Sequence, residues 1–420
     1  MEYITINGRK RLEGKVRING AKNAAVAIIP AAIATCGVCV IDNLPHIEDV
    51  MIQANAIRSL GGKCEFLDEH TLEIDGKDIN SYTVNYNLLK NMRGSYYFMG
   101  ALLGRFKRAE VPMPGGCNFG LRPIDFHIKG FEALGAKWEL EHGLMKLSAE
   151  RLTGANIYLD YPSVGATVNI MLAAVYAEGV THIENAAKEP HVVDTANFLN
   201  KLGAKIKGAG TDIIRITGVN ELNGGEYTII PDQIEAGTYM IAAAITGGDI
   251  TVEGIIPKHM DSLTAKLRDM GCEASEGDDC VRVKCGGELN SCNIKATFYP
   301  GFPTDLQPQM TTLLCGARGT GVVSETVFEN RFQYVNELKR LGANITVEGR
   351  VAVIEGPCAL TGAQVSATDL RAGIALVLAG LAAKGETVIG NIKYLDRGYE
   401  QYESKFRALG AEIHRIERPD

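Results

Sequence analysis

The sequence has little of several things that mark whole classes of protein. No run of apolar residues reaches the roughly 18 needed to span a membrane; the longest, 24–34 and 374–383, fall well short. The N-terminal stretch MEYITINGRKRLEGK has no apolar core and no small-residue cleavage site, so no signal peptide is expected, and the cytoplasm is the expected compartment. Positive charge is not in excess. Lys and Arg number 43 against 50 Asp and Glu, a formal net charge of −7, which disfavours nucleic acid as a partner. There is no GxxxxGK[ST] phosphate loop, no HExxH, no GxSxG and no second CxxC beside Cys36–Cys39. Cys280, Cys285 and Cys292 lack zinc spacing. A chain with a large core does not need a disulfide framework, so most of the ten cysteines are expected as small buried residues, with no metal site. Tryptophan occurs once.

Glycine, by contrast, is abundant: 47 of 420 residues. Many of these glycines fall into register. A motif that ends a helical pattern and opens a strand pattern recurs as Leu60-Gly61, Leu134-Gly135, Leu202-Gly203, Met270-Gly271, Leu341-Gly342 and Leu409-Gly410. The glycines are spaced by 74, 68, 68, 71 and 68 residues. A glycine at that place is expected to cap the helix in the left-handed conformation. The rest of each unit keeps phase. A strand (15–19, 82–86, 156–160, 226–230, 292–299, 363–366) precedes an apolar helix such as 167–177, 237–245 or 372–383. A mid-unit glycine follows (Gly37, Gly104, Gly179, Gly247, Gly319, Gly385), then a strand, a more polar helix and two strands. The pattern is βαβαββ, six times over. Helices apolar all round belong inside a domain. The expectation is an α/β protein of two similar domains, each of three repeats with buried central helices. The polar stretch 218–225 is the expected linker.

The loop ahead of each apolar helix ends at a helix N-terminus, which suits an anion. Asn23, Arg93, Ser163, Glu235, Asp305 and Arg371 stand there in phase, and Lys22 beside them. Lys22, Arg93 and Arg371 are cations where the helix dipole disfavours them, a conflict that points to function. A second set of cations, Arg122, Lys258, Arg331 and Arg397, precedes the polar helices. Facing one cleft, Lys22, Arg93, Arg122, Arg331, Arg371 and Arg397 would bind a strongly anionic small ligand. The bland alternative is a set of solvated surface charges. From mid-unit glycine to cap glycine the second unit spans 31 residues where the others span 23 to 25, and the excess falls on PGGCNFG at 114–120. Cys117 in this Gly-rich insertion, five residues from Arg122, reads as a reactive thiol. Asp305 reads as a proton acceptor or hydroxyl anchor, or simply as a helix cap. Asp369 poses the same choice, and could orient Arg371 or Arg397.

GAKNAA at 20–25, PGGCNFGLRPIDFH at 114–127, PSVGATVNIMLAA at 162–174, PGFPTDLQPQ at 300–309, ETVFENRF at 325–332, ATDLRAG at 367–373 and LDRGYE at 395–400 resemble the bacterial UDP-N-acetylglucosamine 1-carboxyvinyltransferases over the whole chain. The resemblance implies an inside-out α/β barrel of two domains, 22–229 against 1–21 with 230–420, with the active site in the interdomain cleft. It implies enolpyruvyl transfer from phosphoenolpyruvate to the sugar 3-hydroxyl, with phosphate released and no cofactor, in peptidoglycan precursor synthesis, and a fosfomycin-sensitive cysteine. It implies Cys117 as general acid, and Asp305, Lys22 and Arg397 as its catalytic companions. Lys22, Asn23, Arg93, Cys117, Arg122, Arg331, Arg371, Asp369 and Arg397 would hold phosphoenolpyruvate. Asn23, Arg93, Arg122, Pro123, Ser163, Val164, Gly165, Asp305 and Val327 would contact the nucleotide sugar. The expected state is a monomer or weak homo-oligomer. This sequence departs from the family at Asn118-Phe119-Gly120-Leu121, at Tyr161-Pro162 and at Gln233. A shikimate-type transferase, a ring-like clamp and a silent paralogue are the competing readings. The Cys117 insertion and PSVGAT speak against the first, the hinged cysteine against the second.

Overall fold

The computed structural model describes residues 1–89, 92–113 and 124–417. Among these, two compact units are distinct. The first runs from Gly20 to Ile230; the second combines Met1–Asn19 with the chain from Pro231 on. Each is built round three central helices. Those of the first unit are α1 (Lys22–Ala32), α2 (Tyr97–Phe106) and α3 (Val164–Ala174); those of the second are α4 (Gln233–Ile245), α5 (Gln307–Cys315) and α6 (Leu370–Ala382). Nearly every residue of these helices is buried, including nine in succession from Ala166 to Ala174, because no face of the helix is polar enough to meet water. Gly100 and Gly104, four apart on α2, let its backbone lie against α3: a Cβ would stand 2.3 Å from Asn169 O at the first and 2.8 Å from Leu172 O at the second.

The described strands form six separate open sheets, five of four strands and one of three, with no closed barrel. In the third repeat Asn156–Tyr158 pairs parallel with Val180–Glu184, across the helix α3 that a parallel connection requires. Ile213–Thr217 and Lys205–Lys207 add antiparallel. Alternate residues of Val180–Glu184 are buried, so one face lies on the helices and the other meets solvent. The three-stranded sheet belongs to the second repeat, where 82–86 was expected as a strand. Only Thr83 bridges there, to Glu110, because Asn85 turns the chain by accepting Asn87 N–H at 2.9 Å and a short helix, Tyr86–Leu89, follows.

The six capping glycines have φ of +97, +96, +109, +102, +96 and +101° at Gly61, Gly135, Gly203, Gly271, Gly342 and Gly410. The mid-unit glycines agree less well. Gly179, Gly247, Gly319 and Gly385 have positive φ, but Gly104 lies inside α2 and the left-handed residue is Lys107. The close approach to α3 is what fixes a glycine at 104. Residues 218–225 are not a linker. Gly218 N–H donates to Gly179 O, Val219 N–H to Val175 O and Asn223 N–H to Leu202 O, which ties the stretch to the first unit. The chain passes between units at Asn19–Gly20 and Ile230–Pro231.

Two expectations about cysteine change. Cys272 and Cys285 form a disulfide, because the pairing of Glu273 with Lys284 sets them opposite each other one residue further along. Cys36 is exposed, since it follows the end of α1 and meets Arg105 Nη2 at 3.4 Å; Cys39, Cys64 and Cys315 are buried as expected.

Candidate active site

The in-phase residues all stand at the start of a central helix. In the first unit Lys22 is the first residue of α1 and Asn23 the second, after an N-cap, Ala21, with no side chain to offer. The cation at a helix N-terminus is answered by Asp49, whose buried carboxylate lies 2.8 Å from Lys22 Nζ. Lys22 is thereby held largely buried and pointed, rather than loose in solvent. Arg93 opens a 3-10 turn, Arg93–Tyr96, ahead of α2. Its side chain, and Cys117, Arg122 and Pro123 entirely, lie outside the described residues.

Ser163 caps α3, its Oγ accepting Ala166 N–H at 3.3 Å. Val164 and Gly165 follow, half-buried, in the first turn, where N–H groups have no acceptor within the helix. Packed against Gly165 are the His127 ring and Tyr96, each 3.0 Å from where a Cβ would be. Burial pushes the His127 imidazole down to about 4, so it is neutral. Asn169 donates to its Nδ1 at 2.8 Å and to Tyr96 O at 2.9 Å, and accepts from Gly100 N–H at 2.9 Å. His127 was missed by residue-level reading, because a single histidine in a helical pattern carries no spacing signal; its place in the 114–127 motif was the one available clue.

In the second unit the structure brings three of the expected residues together. Asp305 Oδ1 lies 3.3 Å from Arg331 Nη2, and Asp305 Oδ2 lies 3.1 Å from Arg371 Nη2. Both arginines are buried, at 2% and 5% side-chain exposure, while the carboxylate is 28% exposed. Burial works against the Arg371 charge, but Asp305, Tyr399 and Asp232 outweigh it and hold the guanidinium firmly protonated. Arg371 also donates to the Tyr399 hydroxyl at 3.3 Å, and Tyr399 meets Thr238 Oγ1 at 2.9 Å. Arg331 donates to Thr304 O at 3.2 Å, and Thr304 Oγ1 donates to Glu325 Oε2 at 2.8 Å. The buried Glu325 accepts the N–H groups of Val327 and Phe328, which sets the half-buried Val327 in place. Asp305 is thus a partly exposed carboxylate fixed by two buried cations.

Asp369 answers the question left by its position. Its carboxylate caps α6 through Arg371 N–H at 2.9 Å and Ala372 N–H at 3.1 Å, so it orients Arg371 through the backbone. Arg397 is half-buried at the end of the helix Lys393–Asp396. Lys258 is 82% exposed and paired with Asp261, an ordinary surface cation. Glu235, in phase with the others, is buried and bonded to Lys405 Nζ at 2.7 Å and Asn19 N–H at 3.1 Å.

A family model described as EPSP synthase (3-phosphoshikimate 1-carboxyvinyltransferase) matches residues 6–406. The chain belongs to that family of enolpyruvyl transferases. Within it, the likeness is to the branch that acts on a nucleotide sugar by name. The chain is 57% identical over 416 residues to UDP-N-acetylglucosamine 1-carboxyvinyltransferase 3 of Caldanaerobacter subterraneus subsp. tengcongensis, covering 99% of this chain and 100% of that protein. It is 56% identical to UDP-N-acetylglucosamine 1-carboxyvinyltransferase of Clostridium botulinum, with 99% and 100% covered. Among solved structures, the enolpyruvyl transferase NikO from Streptomyces tendae matches with a TM-score of 0.90 at 27% identity, over 100% of this chain and 99% of that one. An EPSP synthase from Acinetobacter baumannii shares the fold, with a TM-score of 0.76 at 19% identity over 99% of this chain and all of the other. No helix among the described residues is long and apolar enough to cross a membrane.

Proposed function

We propose that this chain transfers the enolpyruvyl group of phosphoenolpyruvate to the 3-hydroxyl of UDP-N-acetylglucosamine, releasing inorganic phosphate, in the cytoplasm, as a step toward peptidoglycan precursors. The observation that carries this reading is full-length identity above half to enzymes of that name. The reaction is an addition and an elimination. The hydroxyl oxygen adds to C2 of the enol while C3 takes a proton; C3 then loses a proton and the C2–O bond to phosphate breaks. No electrons leave the reactants, so no redox partner is needed.

That chemistry calls for an acid at C3, an acceptor at the hydroxyl and cations on the carboxylate and phosphate. Cys117 is the proposed acid, and Asp305 the acceptor or anchor for the 3-hydroxyl. Two buried guanidiniums at 3.3 and 3.1 Å hold the Asp305 carboxylate in position. Lys22, Arg122 and Arg397 are proposed to hold phosphoenolpyruvate, with Asn23, Arg93, Arg331, Arg371 and Asp369 contributing to its field. The α3 N-terminus, with Ser163, Val164 and Gly165, is proposed for the nucleotide sugar together with Asn23, Arg93, Arg122, Pro123 and Val327. The supporting feature there is a run of helix-terminal N–H groups, half-buried, ready for phosphate oxygen.

The test is phosphate release from phosphoenolpyruvate with each acceptor in turn. Release that requires UDP-N-acetylglucosamine, is lost in Cys117→Ser and is blocked by fosfomycin bound at Cys117 is the expected result. Release supported by shikimate 3-phosphate instead would keep the family and overturn the substrate.

A further inference from the structure

The second unit contains a second cysteine pair besides the disulfide. Cys315 is the last residue of α5 and is fully buried; Cys358 is half-buried, two residues beyond the strand Val351–Gly356. What brings them together is Gly356. A Cβ there would lie 2.2 Å from Ala317 O, 2.9 Å from Leu314 O and 3.2 Å from Cys315 O, so only glycine lets the strand end lie against the last turn of α5. Cys358 N–H then donates to Cys315 O at 2.7 Å. The two thiols are close enough to shift each other's titration, Cys315 upward and Cys358 downward, while Cys315 Sγ donates to Thr311 O and Cys358 Sγ to Glu355 O, both at 3.3 Å. A further donor, Asn344 N–H, is aimed at the Cys358 sulfur from 3.2 Å. The arrangement is asymmetric: the Cys358 sulfur is half-buried, with the Asn344 N–H aimed at it, and Cys315 is fully enclosed.

We infer that Cys358 and Cys315 are a redox-active dithiol, in which Cys358 is the thiol attacked by a hydroperoxide and Cys315 the thiol that resolves it. In the first step the Cys358 thiolate takes one oxygen from the hydroperoxide as its O–O bond breaks. This gives a sulfenic acid and, after protonation, the alcohol or water. In the second, Cys315 sulfur displaces that oxygen as water, forming the S–S bond; two thiols have lost two electrons and the hydroperoxide has gained them. The neighbouring Cys315 thiol, ahead of the opposing effect of burial, brings the Cys358 thiol down to about 6, a direction that favours the nucleophilic thiolate. Nothing in this proposal depends on the transferase reading, since neither cysteine is placed in that machinery.

The experiment is a graded hydrogen peroxide series on the full chain, quenched with an alkylating agent under denaturing conditions and mapped by peptide mass spectrometry. The exposed Cys36 serves as internal reference. The expected result is a cross-linked peptide joining Cys315 and Cys358, reversed by thiol reductant, with Cys358 lost on the order of tenfold faster than Cys36. In Cys358→Ala, a change at a half-buried site, Cys315 should stay alkylatable throughout. Cys358 oxidising no faster than Cys36, or advancing to sulfinic acid while Cys315 remains alkylatable, overturns the assignment.

Discussion

At Asp305 one half-exposed carboxylate is shared by two buried guanidiniums. The arrangement works in both directions. The cations fix where the carboxylate points, and the carboxylate is what makes two buried cations tolerable so near each other. Arg371 adds geometry to charge, since its fork reaches Asp305 and Tyr399 together. A lysine keeps the charge and loses the fork. In a double-mutant cycle, Arg371→Lys and Asp305→Asn should each destabilise the protein, with a coupling energy of about 1–3 kcal/mol in urea unfolding. A coupling near zero would show the pair to be incidental. That Asp305 and Arg371 stand at the starts of central helices was legible from their phase in the repeat. Their mutual contact was not, because Asp305, Arg331 and Arg371 belong to two repeats and nothing local to any of them names the partner. Asp49, which holds Lys22, was invisible for the same reason: it lies on the polar helix Glu48–Ser59, where an acidic residue in the first turn is ordinary.

Between elements, one link within the first unit joins Asp194, on the helix Pro190–Lys201, to Tyr227 on the strand Gly225–Thr228. The tyrosine hydroxyl donates to Asp194 Oδ1 at 2.6 Å, and Ile230 N–H donates to Oδ2 at 3.2 Å. The carboxylate therefore pins the last strand of the unit just before the chain leaves it. Burial raises its carboxyl to about 6, against the bonds from Tyr227 and Ile230. The native protein holds this proton more tightly than the unfolded chain does. The resulting stabilisation is fully present below about pH 4 and is lost as pH rises through about 6. Relative to Asp194→Asn, the wild type should lose on the order of 2–3 kcal/mol between pH 4 and pH 7. Denaturant titrations of both proteins across that range are the measurement, and a difference independent of pH would refute the link. The elements themselves were largely readable. Central helices, cap glycines and most strands follow from period and punctuation. The failures came where a tertiary contact set the residue type. Gly104 is glycine because two helices meet there, and 218–225 looked like a linker because polar side chains hide backbone bonds that no side chain reports.

At the scale of the whole chain, the repeat pattern is exchanged between units. The strand Glu13–Arg17, which precedes α1, pairs not in the first repeat but parallel to Asp249–Glu253 of the fourth. Gly225–Thr228, which precedes α4, takes the vacated place beside Val38–Asp42. Glu2–Asn7 goes further, and lies between Glu386–Gly390 and Glu412–Glu417 in the interior of the last sheet. No periodicity shows this, because an exchanged strand has the same alternation as one kept at home; only the family resemblance hinted that the N-terminal strand belongs to the second unit. The consequence is unequal dependence on the N-terminus. Without residues 1–19 the second unit loses one edge strand and one interior strand, and Glu412–Glu417 has nothing to pair with, whereas the first unit loses no strand. The chain from Gly20 onward should then show native hydrogen-exchange protection in α1, α2 and α3 and little in α4, α5 and α6. Adding a peptide of residues 1–19 should restore protection to the second set, because the missing strands supply backbone partners and apolar side chains such as Ile4 and Ile6, both fully buried. Full protection of α4, α5 and α6 in the truncated chain would mean that the exchanged strands decorate the second unit rather than complete it.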